Sequence, residues 1–160
     1  MDATTMQSTN SLIEQLQSDY PSLQFQQSNE FLWSAKRQTI HFDPDVANCD
    51  AFTLHELSHA LLEHQGYRAD IDLIKMERDA WEYARSHLAT KYGYDIEEDI
   101  IQDNLDTYRD WLHARSKCPD CTATGLQTKS RHYHCLSCGN SWRVNEARLC
   151  ALRRYSLATK

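Results

Sequence analysis

The sequence predicts an α+β protein: a small antiparallel sheet packed on a helical bundle, then a cysteine-rich ribbon and a short C-terminal helix. Three observations lead there. Apolar residues recur at helical spacing over residues 10–20, 48–65, 70–92 and 96–114. Short alternating runs lie at residues 23–27, 31–33 and 39–42. Two C-x-x-C pairs, Cys118/Cys121 and Cys135/Cys138, mark a segment of different charge. Only 4 Gly and 3 Pro occur in 160 residues, which favours long helices over a loop-rich β fold.

In chain order, residues 1–10 are polar, and Leu12, Ile13 and Leu16 then define a helix from Asn10 to Tyr20 that Pro21 stops. Leu23 to Gln27 alternates as a half-buried strand does. Phe31–Trp33 and Thr39–Phe42 are two further strands joined by the polar Ser34-Ala35-Lys36-Arg37, and Asp43-Pro44-Asp45 ends the sheet. The next helix runs from Asn48 or Asp50 to Gln65, with Leu54, Leu57, Leu61 and Leu62 as its apolar contacts and Gly66 as C-cap. A second, Asp70 to Tyr92, carries Ile71, Ile74, Ala80, Trp81, Ala84 and Leu88, and Gly93 ends it. A third spans Ile96 to Ala114. After the cysteine segment, Asn145 caps a last helix with Leu149, Leu152 and Leu157 as apolar positions.

Charge divides the chain near residue 116. Residues 1–115 carry 9 Lys+Arg against 21 Asp+Glu, a net −12, whereas residues 116–160 carry 8 against 2, a net +6. Three segments follow: a domain over 1–115, a ribbon over 116–144 and a C-terminal helix over 145–160. No apolar run approaches the ~18 residues of a membrane span. The start of the chain lacks the basic and apolar parts of a signal peptide. The expectation is a cytoplasmic protein without a membrane segment. In a reducing compartment, paired C-x-x-C motifs read as a metal site rather than as disulfides. Cys118, Cys121, Cys135 and Cys138, with thirteen residues between the pairs, are therefore expected to hold one structural Zn²⁺. Gly139 permits the tight turn that aims backbone N–H groups at a thiolate. Counting the ion and four thiolates, the tail falls to about +4, and this basic region is a candidate surface for nucleic acid, an acidic partner or the acidic half itself.

The chemistry concentrates in His55-Glu56-Leu57-Ser58-His59. Residues four apart on a helix lie one above the other, so His55 and His59 offer two imidazoles to one point. Zn²⁺ suits that pair and lowers the pKa of water to near ~7, while Glu56, beside the first ligand, can accept its proton. A hydrolytic site needs a third ligand. His64 falls about 100° round the helix from the required face, taking the helical rotation per residue. Glu77, on the next helix, has small Ala80 and Ala84 at i+3 and i+7, so that helix can come close, whereas Glu82 falls on another face.

At these residues the chain resembles the ImmA/IrrE family of zinc peptidases. The shared pattern is H-E-x-x-H-x-L-L-x-H over His55–His64, then E-x-x-A-x-x-x-A over Glu77–Ala84, within a resemblance covering roughly residues 10–92. It implies a gluzincin-like fold, a catalytic Zn²⁺ on His55, His59 and Glu77, Glu56 as general base, and a regulatory protein substrate such as a transcriptional repressor. The cysteine ribbon is not part of that family's core. The helix with His55-Glu56-Leu57-Ser58-His59-Ala60 followed by a zinc ribbon also resembles SprT-like proteases, which act on nucleic-acid-associated proteins and whose third ligand is a His; His87 is the residue available for it. The reading from a different class is a non-catalytic, zinc-stabilised adaptor that binds protein or nucleic acid. Tyr67, Arg78, Tyr83 and His87 are the candidates for stabilising an oxyanion.

Overall fold

Pro21 ends the first helix where the sequence places the break, and a strand starts three residues later. The computed structural model describes residues 3–147 and 151–157, with side chains from Thr9 onward. The elements are α1 (Ala3–Asp19), β1 (Gln24–Gln27), β2 (Leu32–Ser34), β3 (Thr39–Phe42), α2 (Cys49–Leu61) and α3 (Asp70–Tyr83). A π-helical stretch (Ala84–Ala89) and α4 (Thr90–Tyr92) prolong α3, and α5 (Glu98–Ser116) follows. Strands β4 (Leu126–Lys129), β5 (His132–His134), β6 (Ser141–Val144) and β7 (Arg154–Ser156) complete the chain. The class is α+β, as predicted. Among the described residues no helix is long and apolar enough to cross a membrane.

The chain forms two compact units: residues 1–65 with 76–98, and residues 66–75 with 99–160. In the first, the sheet has the order β1-β3-β2. β2 and β3 form an antiparallel hairpin, but β1 runs parallel to β3, so the sheet is mixed and not wholly antiparallel. The cause is the connection from β1, which passes over to the far edge before the hairpin returns through the middle. Alternation in sequence reports which face is buried and carries nothing about strand direction. β3 is thus the central strand, with Thr39, Ile40 and Phe42 buried. Helix α2 packs on β3 and β2 and against the π-helical stretch. Leu12, Leu16, Ile40, Leu54, Leu57 and Trp81 make the core.

One helix end differs from expectation and another agrees with it. α2 stops at Leu61 rather than Gln65, because Glu63, not Gly66, takes the left-handed conformation, with φ 55°. Gly93 does end the helical run from Asp70, at φ 75°. Within that run the α-helix gives way to π-helical pairing over Ala84–Ala89, a feature that apolar periodicity does not reveal.

In the second unit the strand order is β4-β5-β6-β7, all antiparallel. A last helix is predicted over residues 145–160; instead Arg154–Ser156 forms β7, paired to β6. Leu152 packs on the ribbon core, and the strand covers an edge that β6 would otherwise leave open. Leu149 lies outside the described residues. Cys118, Tyr133, Cys135, Trp142 and Val144 form that core. The end of α5 is tied into it: Trp142 Nε1 donates to the Arg115 carbonyl at 3.0 Å, and Gly125 N–H donates to the Ser116 carbonyl at 2.7 Å. A Cβ on Gly125 would lie 2.3 Å from the Trp142 ring, so only glycine fits there.

Candidate metal centres

Helix α2 presents His55 and His59 on one face, their Nε2 atoms 3.1 Å apart. Glu77, on α3, bridges them, with Oε2 2.9 Å from His55 Nε2 and Oε1 3.4 Å from His59 Nε2. Ala80 and Ala84 are fully buried, and their small side chains allow this approach. A tetrahedral ion with metal–nitrogen and metal–oxygen bonds of about 2.0–2.1 Å has ligand-to-ligand edges of about 3.3 Å. The observed edges of 2.9–3.4 Å match that size. All three residues are buried, and three donors leave a tetrahedral ion one open corner. The group could hold a metal ion.

The protonation states of His55 and Glu77 suit such a role, whereas His59 would have to give up a proton that Glu77 holds on it. Burial pushes His55 down to about 4, leaving its ring neutral. Burial opposes ionisation of Glu77, but hydrogen bonds from His55 and His59 outweigh it and hold the carboxyl at about 2. Burial also works against a charged His59, yet the hydrogen bond and charge of Glu77 raise its pKa. A neutral imidazole and an ionised carboxylate are what a metal ion needs. Glu56, half-buried beside them, is not one of the three donors. Burial pushes it up to about 7, although the nearby His59 and a hydrogen bond from the backbone N–H of Trp33 favour its ionised form.

The rings are held from behind. His55 stacks on Trp81, centroids 4.2 Å apart at 26°, and Phe52 meets Trp81 edge-on at 5.6 Å. His55 Nδ1 is buried and has no partner among the described residues. His59 Nδ1 lies 2.9 Å from His64 Nδ1. Were Nε2 of His59 to ligate an ion at the shared point, Nδ1 would carry the proton and donate it to His64. The backbone explains why His64 is there. The Glu63 N–H donates to the Ala60 carbonyl at 3.1 Å and the His64 N–H to the His59 carbonyl at 2.9 Å, with Glu63 left-handed between them. This Schellman closure folds the chain back over the helix end and brings residue 64 onto residue 59. Helical geometry excludes His64 as a ligand but misses this contact, because the helix has already ended. A cavity of about 270 Å³ opens beside it, lined by Trp33, Ala35, Gln38, Ala60, Glu63, His64 and Gln65.

In the second unit the four sulfurs form a second group that could hold a metal ion. Cys118 Sγ and Cys138 Sγ are 3.6 Å apart, and Cys121 Sγ and Cys135 Sγ 3.5 Å. A tetrahedron with metal–sulfur bonds of about 2.3 Å has edges of about 3.8 Å. Desolvation opposes ionisation of Cys118, but the backbone N–H groups of Cys121 and Asp120 prevail and bring its thiol to about 6. The Cys138 N–H lowers Cys135 in the same way. Gly139, at φ 78°, makes the tight turn expected of it, and Thr122, at φ 67°, makes the corresponding turn after Cys121. His132 and His134 stand outside the group, His134 Nδ1 lying 2.9 Å from Ser141 Oγ.

The other candidates lie elsewhere. His87 is exposed, stacked on Tyr83 at 4.5 Å and within 2.9 Å of Ser86 Oγ, so Glu77 and not His87 completes the histidine pair. Glu82 is exposed, and the exposed Arg78 pairs with Asp79 at 3.0 Å. Cys49 is buried against Thr9, and burial pushes its thiol up to about 11, as befits a small apolar residue. Comparison with protein-family models, with curated proteins and with solved structures finds no match to this chain.

Proposed function

We propose that the chain is a zinc-dependent peptidase that cuts a peptide bond in a regulatory, repressor-like protein. The observation that carries this reading is the convergence of His55, His59 and Glu77 donors beside a carboxylate, Glu56, that is not one of them. Zn²⁺ suits both donor sets, the imidazole–carboxylate one and the all-thiolate one. Held by His55, His59 and Glu77, it would supply Lewis acidity toward water and the scissile carbonyl.

The chain's own residues carry the proton. Glu56, with its pKa raised to about 7, is poised to accept a proton from attacking water and return it to the leaving amine near neutral pH. Trp33 fixes that carboxylate through its backbone N–H, Trp81 braces His55, and His64 sets the tautomer of His59. β3 lies inside the sheet between the edge strands β1 and β2, and β2, which also packs on α2, is the edge that would offer main-chain pairing to an extended substrate segment. The cavity beside His64 then receives a substrate side chain. The ion on the four cysteines is structural, since four protein ligands leave it no corner for chemistry. Glu77 in the donor set favours an ImmA/IrrE-type peptidase over a SprT-like one.

The test is Glu56→Gln. Metal analysis should find two zinc per chain in both proteins, while cleavage of a co-expressed repressor-type substrate falls at least about 10²–10⁴-fold in the variant. Undiminished cleavage by Glu56→Gln would remove the mechanism. A single, tightly held zinc in the wild type would favour the adaptor.

A further inference from the structure

The loop before α3, the last turns of α5 and the β4–β5 turn line a cavity of about 370 Å³ within the second unit. Three guanidinium groups (Arg68, Arg115 and Arg131) and two aromatic rings (Tyr67 and Trp111) face it, with Asp70 as its buried carboxylate. Asp70 is already engaged. Its side chain accepts from the Tyr133 hydroxyl, and its Oδ2 lies 2.8 Å from Arg115 Nε.

Arg115 is the informative residue. It is only 4% exposed, and its Cζ stacks 4.3 Å from the Trp111 ring centroid, which fixes the plane of the guanidinium. Asp70 balances its charge, yet the approach to Nε is too poorly aligned for a hydrogen bond, and Nε has no acceptor among the described residues. The paired guanidinium also lines the cavity, so a rigidly held positive charge borders whatever enters there. Arg68 forms no ion pair among the described residues, and both it and Arg131 are exposed. Arg131 is held at the β4–β5 turn with φ 59° and meets the exposed Glu146 at 3.6 Å, a solvent-screened pair that an incoming anion can displace. Planar cations converging in this way recognise oxyanions with more than one oxygen. Tyr67, 43% exposed at the rim, adds a ring face on which a flat group can stack. A bare carboxylate would satisfy the cations and make no use of that ring.

We propose that this cavity binds a nucleoside monophosphate unit, its phosphate on Arg68, Arg115 and Arg131 and its base on Tyr67. The unit is either a free nucleotide or one residue of a single-stranded nucleic acid. No candidate metal ligand takes part, so the site and the peptidase reading can fail separately.

The experiment uses the full chain with its metal bound. Inorganic phosphate, AMP and an acetylated tripeptide with a free C-terminal carboxylate are titrated by calorimetry, and a labelled ten-residue thymidylate strand by fluorescence anisotropy. AMP or the strand should bind more tightly than phosphate. Arg68→Ala and Arg131→Ala should each weaken binding about tenfold, as expected for loss of a charge-assisted hydrogen bond. Tyr67→Ala should cost the nucleotide about tenfold through lost stacking and leave phosphate unchanged. Tighter AMP identifies a free nucleotide; a tighter strand with steep salt dependence identifies nucleic acid. Equal affinity for phosphate and AMP, preference for the peptide carboxylate, or full binding by the folded Arg68→Ala/Arg131→Ala double variant would overturn the proposal.

Discussion

The four cysteine sulfurs come from residues 118–138, on two tight turns whose own amides favour the thiolates, whereas His55, His59 and Glu77 come from two helices whose packing must bring them together. The first arrangement is local and closed. An ion there would supply folding energy to a segment whose core is little more than Tyr133, Trp142 and Val144 beside the sulfurs. The second depends on a core already built, with Trp81 behind one ring and two fully buried alanines at the helix contact. Its fourth position stays free for chemistry on the proposed reading. One chain thus carries a centre that makes structure and a centre that structure makes.

The sharpest way to break that contrast is to remove one donor from each centre. Cys118→Ser should unfold the ribbon, because a structural ion of this kind contributes on the order of 10 kcal/mol of apparent folding free energy. Glu77→Ala should empty the first centre while the helices persist. Far-ultraviolet circular dichroism with metal analysis separates the two. The contrast is lost if Cys118→Ser melts like wild type, or if Glu77→Ala unfolds its unit.

A smaller change probes how the built centre is held. Without the acceptor on His64, the His59 ring loses what fixes its tautomer and tilt. Loss of such an outer partner typically lowers metal affinity by about 10–100-fold. In a competition titration with a chromophoric chelator, His64→Ala should release the first ion in that proportion and leave the cysteine-bound ion unmoved. His64→Gln, which retains an acceptor oxygen, should recover part of the loss. Equal affinities in wild type and His64→Ala would mean that the 2.9 Å contact positions nothing.

What was legible in the sequence follows the same division. The strand Thr39–Phe42, the donors His55, His59 and Glu77, and the two C-x-x-C pairs could be read because each rests on short-range spacing or small-residue periodicity. The left-handed Glu63 could not, since glycine three positions later is the better candidate for a helix stop, and with it went the placement of His64. Nor could the parallel pairing of β1, because partner direction is decided by where a connection crosses and not by alternation. The final strand was hidden for a related reason. Three leucines suggest a helix, but the open edge of β6, absent from any local pattern, recruits Arg154–Ser156.

The two cysteine turns give the finest comparison. Gly139 and Thr122 hold equivalent left-handed positions, φ 78° and 67°, each following the second cysteine of its pair. Glycine adopts that conformation freely, while a β-branched residue is strained there by about 1–2 kcal/mol. Thr122 does donate its N–H to the Cys118 carbonyl at 3.1 Å, but that bond uses the backbone and survives any side-chain change. Thr122→Gly should therefore stabilise the metal-loaded ribbon by about 0.5–1 kcal/mol, the relief of strain less the entropy that glycine adds to the unfolded chain. Gly139→Ala should destabilise it by a similar amount. Thermal melting of both variants with metal bound decides the point. If Thr122→Gly melts lower than wild type, the threonine side chain makes a compensating contact and the two turns are not equivalent.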